Sequence, residues 1–161
     1  MLPIFFIGLS RNKSELPSSL IGKVSPSFVL PSLINPSVII DQTNLKGRFV
    51  LFNVWATWCA GCREEHEFLM NLSARNEIAI IGLNWRDNRD DALNWLDTLG
   101  NPYEMTAEDK QGRTAIDWGV YGAPETFLIN PQGVIVYKHL GPLTERDWMM
   151  HFKPLLSINS I

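Results

Sequence analysis

From residue 49 onward the apolar positions change rhythm several times. Residues 49–55 (FVLFNVW) form an almost unbroken β-prone run, the pattern of a strand covered on both faces. Residues 60–74 switch to a helical period, with Phe68, Leu69 and Leu72 as an apolar stripe among charged neighbours. Residues 77–84 (EIAIIGLN) predict a second buried strand. Residues 88–99 predict a second helix, with Asp90 and Asp91 in its first turn, Leu93, Leu96 and Leu99 on one side and Gly100 as its stop. A short helical piece over 114–118 follows. Residues 125–130, the turn Pro131-Gln132-Gly133 and residues 134–139 predict a β-hairpin. Residues 144–156 predict a closing helix, whose Glu145 and Asp147 suit the positive end of its dipole. Helices between apolar strands, then a hairpin and a last helix, give an α/β sandwich with a mixed central sheet.

Ahead of this core, residues 27–30 and 37–40 are short β-prone runs separated by Pro31 and Asn35-Pro36. Proline cannot donate to a central ladder, so these predict an N-terminal hairpin or edge strands. Residues 12–26 are rich in Ser, Pro and polar groups without a period and read as a tether. The domain is expected to begin near Leu20 and run to residue 161, with residues 1–19 as an apolar remnant and linker. Residues 1–9 (MLPIFFIGL) are continuously apolar but fall short of the ~17 to 25 residues of a spanning helix. They fit a docked strand or the tail end of a membrane anchor.

With 161 residues, 45% hydrophobic and 19% charged, the chain suits one globular domain that buries a core without covalent staples. Its two cysteines are therefore free for chemistry. A formal charge of −3 and no Lys/Arg cluster leave no electrostatic footprint for nucleic acid, and that class of partner is set aside.

Both cysteines lie in Trp58-Cys59-Ala60-Gly61-Cys62-Arg63, where the first core strand turns into the first helix. Two intervening residues put both sulfurs on the opening turn, within reach of a disulfide. Unpaired N–H groups and the helix dipole favour a thiolate there over a thiol. Cys59, at the edge of the turn, is expected to be the exposed nucleophile, and Cys62, one turn further in, the resolving thiol. Such a pair exchanges disulfides through a mixed-disulfide intermediate and needs no metal or organic cofactor. A purely structural bridge is a poor alternative, because so short a loop removes little unfolded-chain entropy. A metal-binding or metallochaperone use of Cys59, Cys62 and His66, which is four residues beyond Cys62 on the same helical face, would need a fourth ligand from His139, His151 or a carboxylate. A redox Cys-x-x-Cys at the end of the first strand of a βαβ pattern points to a thioredoxin-like fold.

The chain resembles the thioredoxin-superfamily thiol-disulfide oxidoreductases of bacterial cytochrome c maturation, the CcmG/DsbE type. The resemblance is carried by residues 20–23 (LIGK), 53–63 (NVWATWCAGCR), 119–129 (GVYGAPETFLI) and 137–141 (YKHLG). It implies a thioredoxin-like fold with an N-terminal β-hairpin extension and a central insertion. It also implies a reductase at the periplasmic face of the bacterial inner membrane, held by an N-terminal tether. Such a protein takes electrons from a membrane thiol-disulfide donor and reduces apocytochrome c or its maturation partners. By the same resemblance Pro124 is cis and faces the cysteines, and the Ala123 backbone pairs with an extended partner segment. An oxidase running the exchange in the opposite direction is the alternative, since the potential sets the direction.

Deprotonating a partly buried thiol needs an acceptor. In thioredoxin a buried Asp stands on the strand six positions before the first cysteine; here that position is Asn53, which takes no proton at ordinary pH. The task passes to Glu65, three residues after Cys62, or to Glu125, next to Pro124, and similar proteins carry acids at both places. Trp58 is expected to be an exposed aromatic contact for the partner and Trp55 a core residue. Arg63 reads as solvated, and Ala60-Gly61 stands where the family often has a proline.

Overall fold

The computed structural model describes residues 18–158; the apolar run over 1–9 lies outside the described residues. Strands β1 (Val29–Pro31) and β2 (Ile39–Asp41) pair antiparallel as a separate ribbon, as the two prolines require. The core then runs β3 (Val50–Trp55), α1 (Ala60–Ala74), β4 (Ala79–Trp85), α2 (Arg89–Leu99), β5 (Met105–Asp109), α3 (Arg113–Asp117), β6 (Glu125–Ile129) and β7 (Ile135–Leu140). It closes with α4 (Glu145–Asp147), a wider π-helical turn (Trp148–Phe152) and α5 (Lys153–Ile158). Where the sequence predicts one closing helix, Pro154 brings no N–H, and Lys153 N–H reaches back five residues to the Trp148 carbonyl.

The five core strands lie in the order β5-β4-β3-β6-β7. β3, β4 and β5 are mutually parallel, and β6 runs antiparallel to both of its neighbours, β3 and β7, so the sheet is mixed. β3 sits at the centre because all six of its residues are buried. Alternation sends Leu51, Asn53 and Trp55 to one face and Val50, Phe52 and Val54 to the other. The first face packs under α1, α2 and the closing helix, against Leu69, Leu72, Trp95, Trp148 and Phe152. The second packs on α3 and the N-terminal extension, through Phe28, Ile40, Leu45, Ala115 and Trp118. The chain steps sideways in one direction from β3 to β4 to β5, so right-handed crossovers put α1 and α2 on the same face. α3 carries it back across the other face to β6.

The hydrophobic pattern gave no strand at β5, whose sequence MTAED has few apolar residues and ends in two acids. It becomes a strand by pairing with β4 from Ile81↔Met105 to Trp85↔Asp109 and by accepting Leu33 N–H at the Thr106 carbonyl, 2.8 Å away, on its outer side. In chain order α2 and β5 lie between β4 and α3. The N-terminal segment borders the opposite edge as well: Gly22 N–H donates to the Ile135 carbonyl and Ile135 N–H to that of Lys23, at 2.7 and 3.0 Å. One segment thus shields both sheet edges from pairing with another chain.

Candidate active site

β3 delivers the chain to a turn in which Cys59 N–H donates to the Ala56 carbonyl at 3.3 Å. Cys59 is the N-cap of α1, with extended backbone (φ −99°, ψ 110°), and its sulfur accepts Cys62 N–H at 3.1 Å. A sulfur thereby fills the place of a capping oxygen, at the positive end of the helix. The two cysteines are joined as a disulfide, with their Cα atoms 5.3 Å apart. Their residual exposures are nearly equal, 5% for Cys59 and 3% for Cys62. The expected contrast between an open and a shielded sulfur is thus absent in the oxidised protein, because both belong to the apolar cluster of Trp55, Trp95 and Leu143. Next to Cys59, Trp58 is 56% exposed.

The Ala123–Pro124 peptide bond is cis. The Pro124 ring lies against the backbone between the sulfurs: a Cβ added at Gly61 would stand 2.9 Å from Pro124 Cδ and 3.2 Å from Pro142 Cγ. Gly61 is thus required by close approach. Ala123 is half-buried beside it, and the Pro124 carbonyl accepts Gly141 N–H at 2.9 Å. On the other flank, Trp58 Nε1–H donates to the Arg86 carbonyl at 3.0 Å and its ring lies 5.6 Å from that of Trp85. Asp87 accepts Thr57 N–H at 2.8 Å, the Thr57 hydroxyl at 2.6 Å and Asn84 Nδ2–H at 3.0 Å. The residues leading into Cys59 are therefore strapped to the loop after β4, in which Arg86 adopts φ +46°. Nothing in the sequence pattern marked Asp87 for this part. Arg63 is exposed and lies 5.9 Å from the centre of the Trp95 ring.

Glu65 and Asn53 meet beneath α1. Asn53 Nδ2 donates to Glu65 Oε1 at 2.8 Å and to Thr126 Oγ1 at 3.0 Å, while Leu143 N–H donates to Glu65 Oε2 at 2.9 Å. The Tyr103 hydroxyl donates to Asn53 Oδ1 at 2.8 Å and completes the network. Glu65 is 1% exposed. Burial raises its pKa to about 7, against the pull of the Asn53 and Leu143 donors. The same burial, with the nearby charge of Glu65, pushes the Tyr103 phenol upward and keeps it protonated.

Glu125 is placed differently from its expected position among the sulfurs. It opposes Val54 in the β3–β6 register, so strand alternation turns its side chain to the face away from α1. There Oε1 accepts Tyr121 N–H at 3.0 Å, and Oε2 faces the Lys138 ammonium at 3.3 Å. Burial raises its pKa, partly offset by these partners. His66 is likewise committed elsewhere. Its Nε2 lies 2.9 Å from the Gly100 carbonyl and 3.2 Å from that of Leu99, and its Nδ1 accepts Trp95 Nε1–H at 3.3 Å. Burial lowers its pKa. With both ring nitrogens engaged at the end of α2, His66 does not join the sulfurs as a metal ligand. Among the described residues no cluster of three or more His, Cys, Asp and Glu side chains could hold a metal ion.

Residues 21–150 match the Redoxin family. The chain belongs to that family. Within it, the thiol:disulfide interchange protein DsbE of Yersinia pestis is 49% identical over 157 residues, covering 94% of this chain and 83% of the relative. The protein of the same name from Escherichia coli K12 is also 49% identical, covering 88% and 77%. A secreted thiol-disulfide isomerase of Corynebacterium glutamicum superposes with a TM-score of 0.73 at 25% identity, over 84% of this chain and 86% of that one. This Redoxin member, with its thioredoxin-like fold and linked Cys59–Cys62 pair, is a dithiol-disulfide oxidoreductase.

Proposed function

We propose that the protein is a reductase that keeps apocytochrome c, or the thiols of its maturation partners, reduced for haem attachment. It works at the periplasmic face of the bacterial inner membrane, held by an N-terminal tether and re-reduced by a membrane thiol-disulfide donor. The observation that carries the redox part is the capping sulfur of Cys59, bonded to Cys62 N–H and overhung by Pro124. The choice of partner rests on the resemblance over residues 119–129.

In the reduced pair, the Cys59 thiolate attacks one sulfur of a partner disulfide. That bond breaks, the second partner sulfur leaves as a thiolate, and Cys59 is held in a mixed disulfide. Glu65, buried under α1 and titrating near neutrality, receives the Cys62 proton. The Cys62 thiolate then attacks the Cys59 sulfur and expels the partner. Two electrons pass to the partner and the Cys59–Cys62 disulfide remains, to be reduced by the donor dithiol. Trp58 and the Ala123–Pro124 backbone receive the extended polypeptide around the scissile disulfide.

Cys62→Ser is expected to trap a mixed disulfide with an oxidised peptide bearing Cys-x-x-Cys-His, the haem-attachment pattern, while Cys59→Ser neither traps nor reduces it. Trapping by Cys62 instead would reverse the two roles. A redox titration followed by tryptophan fluorescence, with Trp58 adjoining Cys59, decides direction. A midpoint near the roughly −270 mV of thioredoxin supports a reductase, and one near roughly −120 mV an oxidase.

A further inference from the structure

Lys138 stands on β7 opposite Phe127 of β6, on the sheet face away from α1. Its side chain is only 5% exposed, and that of Glu125, which it meets, only 4%. The ammonium donates to the Gly119 carbonyl at 2.9 Å and faces Glu125 Oε2 at 3.3 Å. It also lies 5.0 and 5.2 Å from the ring centres of Tyr121 and Phe127. Glu125 Oε1 in turn accepts Tyr121 N–H. One buried cation therefore ties residues 119 and 121 to the two hairpin strands. The start of the same loop is fastened to α3, where Gly119 and Val120 N–H donate to the Ile116 and Ala115 carbonyls, both at 2.9 Å.

Apolar burial holds this loop where Val120 packs on the second apolar layer, but at Tyr121, 78% exposed, it does not. The ion contact and the hydrogen bonds around it do. The loop leads straight into Pro124, whose ring abuts Gly61 between the sulfurs. We infer that Lys138 is a positioning residue for disulfide exchange: through Glu125 and the Gly119 carbonyl it fixes the 119–123 loop, so that the Ala123 backbone is presented to a polypeptide partner beside Cys59. This inference rests on the exchange reaction proposed above. It gives Glu125 the part of a link between cation and loop, in keeping with its place on the face away from the cysteine helix.

A small disulfide needs only the sulfurs, whereas a polypeptide must also pair with the backbone at Ala123. The test is thus a ratio of rate constants, for a disulfide-containing polypeptide over a small aromatic disulfide, in the reduced parent, Lys138→Met and Lys138→Arg. The ratio is expected to fall about tenfold in Lys138→Met, with the loss in KM for the polypeptide. Lys138→Arg, which keeps a cation within reach of the same acceptors, should recover most of it. An unchanged ratio in Lys138→Met, or no recovery with arginine, would overturn the assignment, because a general loss of stability slows both substrates alike. Should Lys138→Met fail to fold, Glu125→Gln takes its place with the same expected fall, since it keeps an acceptor for Tyr121 and removes the charge facing the ammonium. A parent that reacts with the small disulfide but with no polypeptide would defeat the proposed function itself. A parent active on both, with an unchanged ratio in the variants, would defeat only the part given to Lys138.

Discussion

When α1 packs onto the sheet, Glu65 loses its water and gains only Asn53 Nδ2 and Leu143 N–H, so its proton is held until about pH 7. Asn53 stands on the central strand, and the carboxyl it meets stands on the helix, three residues beyond Cys62. A folded-state pKa raised from 4.5 to about 7 means stability fully present below the lower value and lost as pH rises through the higher one. Chemical unfolding of the oxidised protein between pH 5 and 8 should therefore cost the parent roughly 2 to 3 kcal/mol more than Glu65→Gln. The difference between the two curves is the measure, because the raised Glu125 adds a slope of the same sign and the lowered His66 one of the opposite sign. Parallel curves would mean that the buried charge is not opposed. In exchange, Glu65→Gln should lengthen the lifetime of the mixed disulfide about a hundredfold at pH 7, with the gap narrowing as rising pH lets hydroxide take the proton instead. A lifetime unaffected by the substitution would remove Glu65 from the proton path.

The opening turn of α1 and the segment before β6 belong to different parts of the chain and meet at one glycine. Gly61→Ala sets a methyl 2.9 Å from the stiff Pro124 ring, so the two elements must part. The expected loss is about 1 to 3 kcal/mol by thermal or chemical unfolding, with slower exchange on a polypeptide. Unchanged stability and rate would show that the contact is not tight. This meeting is also where the sequence stops being legible. The limits of α1 follow from its period and its capping cysteine, and the β6–β7 hairpin from its alternation and its Pro-Gln-Gly turn. Both are local signals. β5 carries none, since a strand of Met, Thr, Ala, Glu and Asp is made by its neighbours β4 and Leu33. Glu65 was within reach of helical spacing from Cys62. The part expected of Glu125 rests on adjacency to Pro124, which says nothing about the face to which a strand turns its side chain, and the register turns it away from α1. Nothing in the sequence pattern marks Lys138 or Asp87, and only the assembled fold sets Asp87 on Thr57 and Lys138 on Gly119 and Glu125.

The sheet separates two apolar layers, and the disulfide belongs to only one of them, with Trp55, Trp95, Leu143 and Trp148. A redox potential records the difference between the stabilities of the oxidised and reduced folds, about 30 mV for each 1.4 kcal/mol. A substitution that weakens both folds equally therefore leaves it unmoved, however large the loss. Phe28 lies in the other layer, 6% exposed, stacked on Phe52 with ring centres 5.7 Å apart and edge-on to Trp118 at 6.3 Å. It comes from the N-terminal extension, so its removal also tests whether that extension is part of the cooperative domain. Phe28→Ala should cost about 3 to 5 kcal/mol in each redox state, with the midpoint moving by less than about 15 mV. Trp95→Ala, which strips packing from the layer that holds the cysteines, should move the midpoint by more than that. Equal shifts in the two variants would mean that strain crosses the sheet and that the layers do not act separately. A Phe28→Ala protein as stable as its parent would mean that the extension rides on the domain without sharing in its folding.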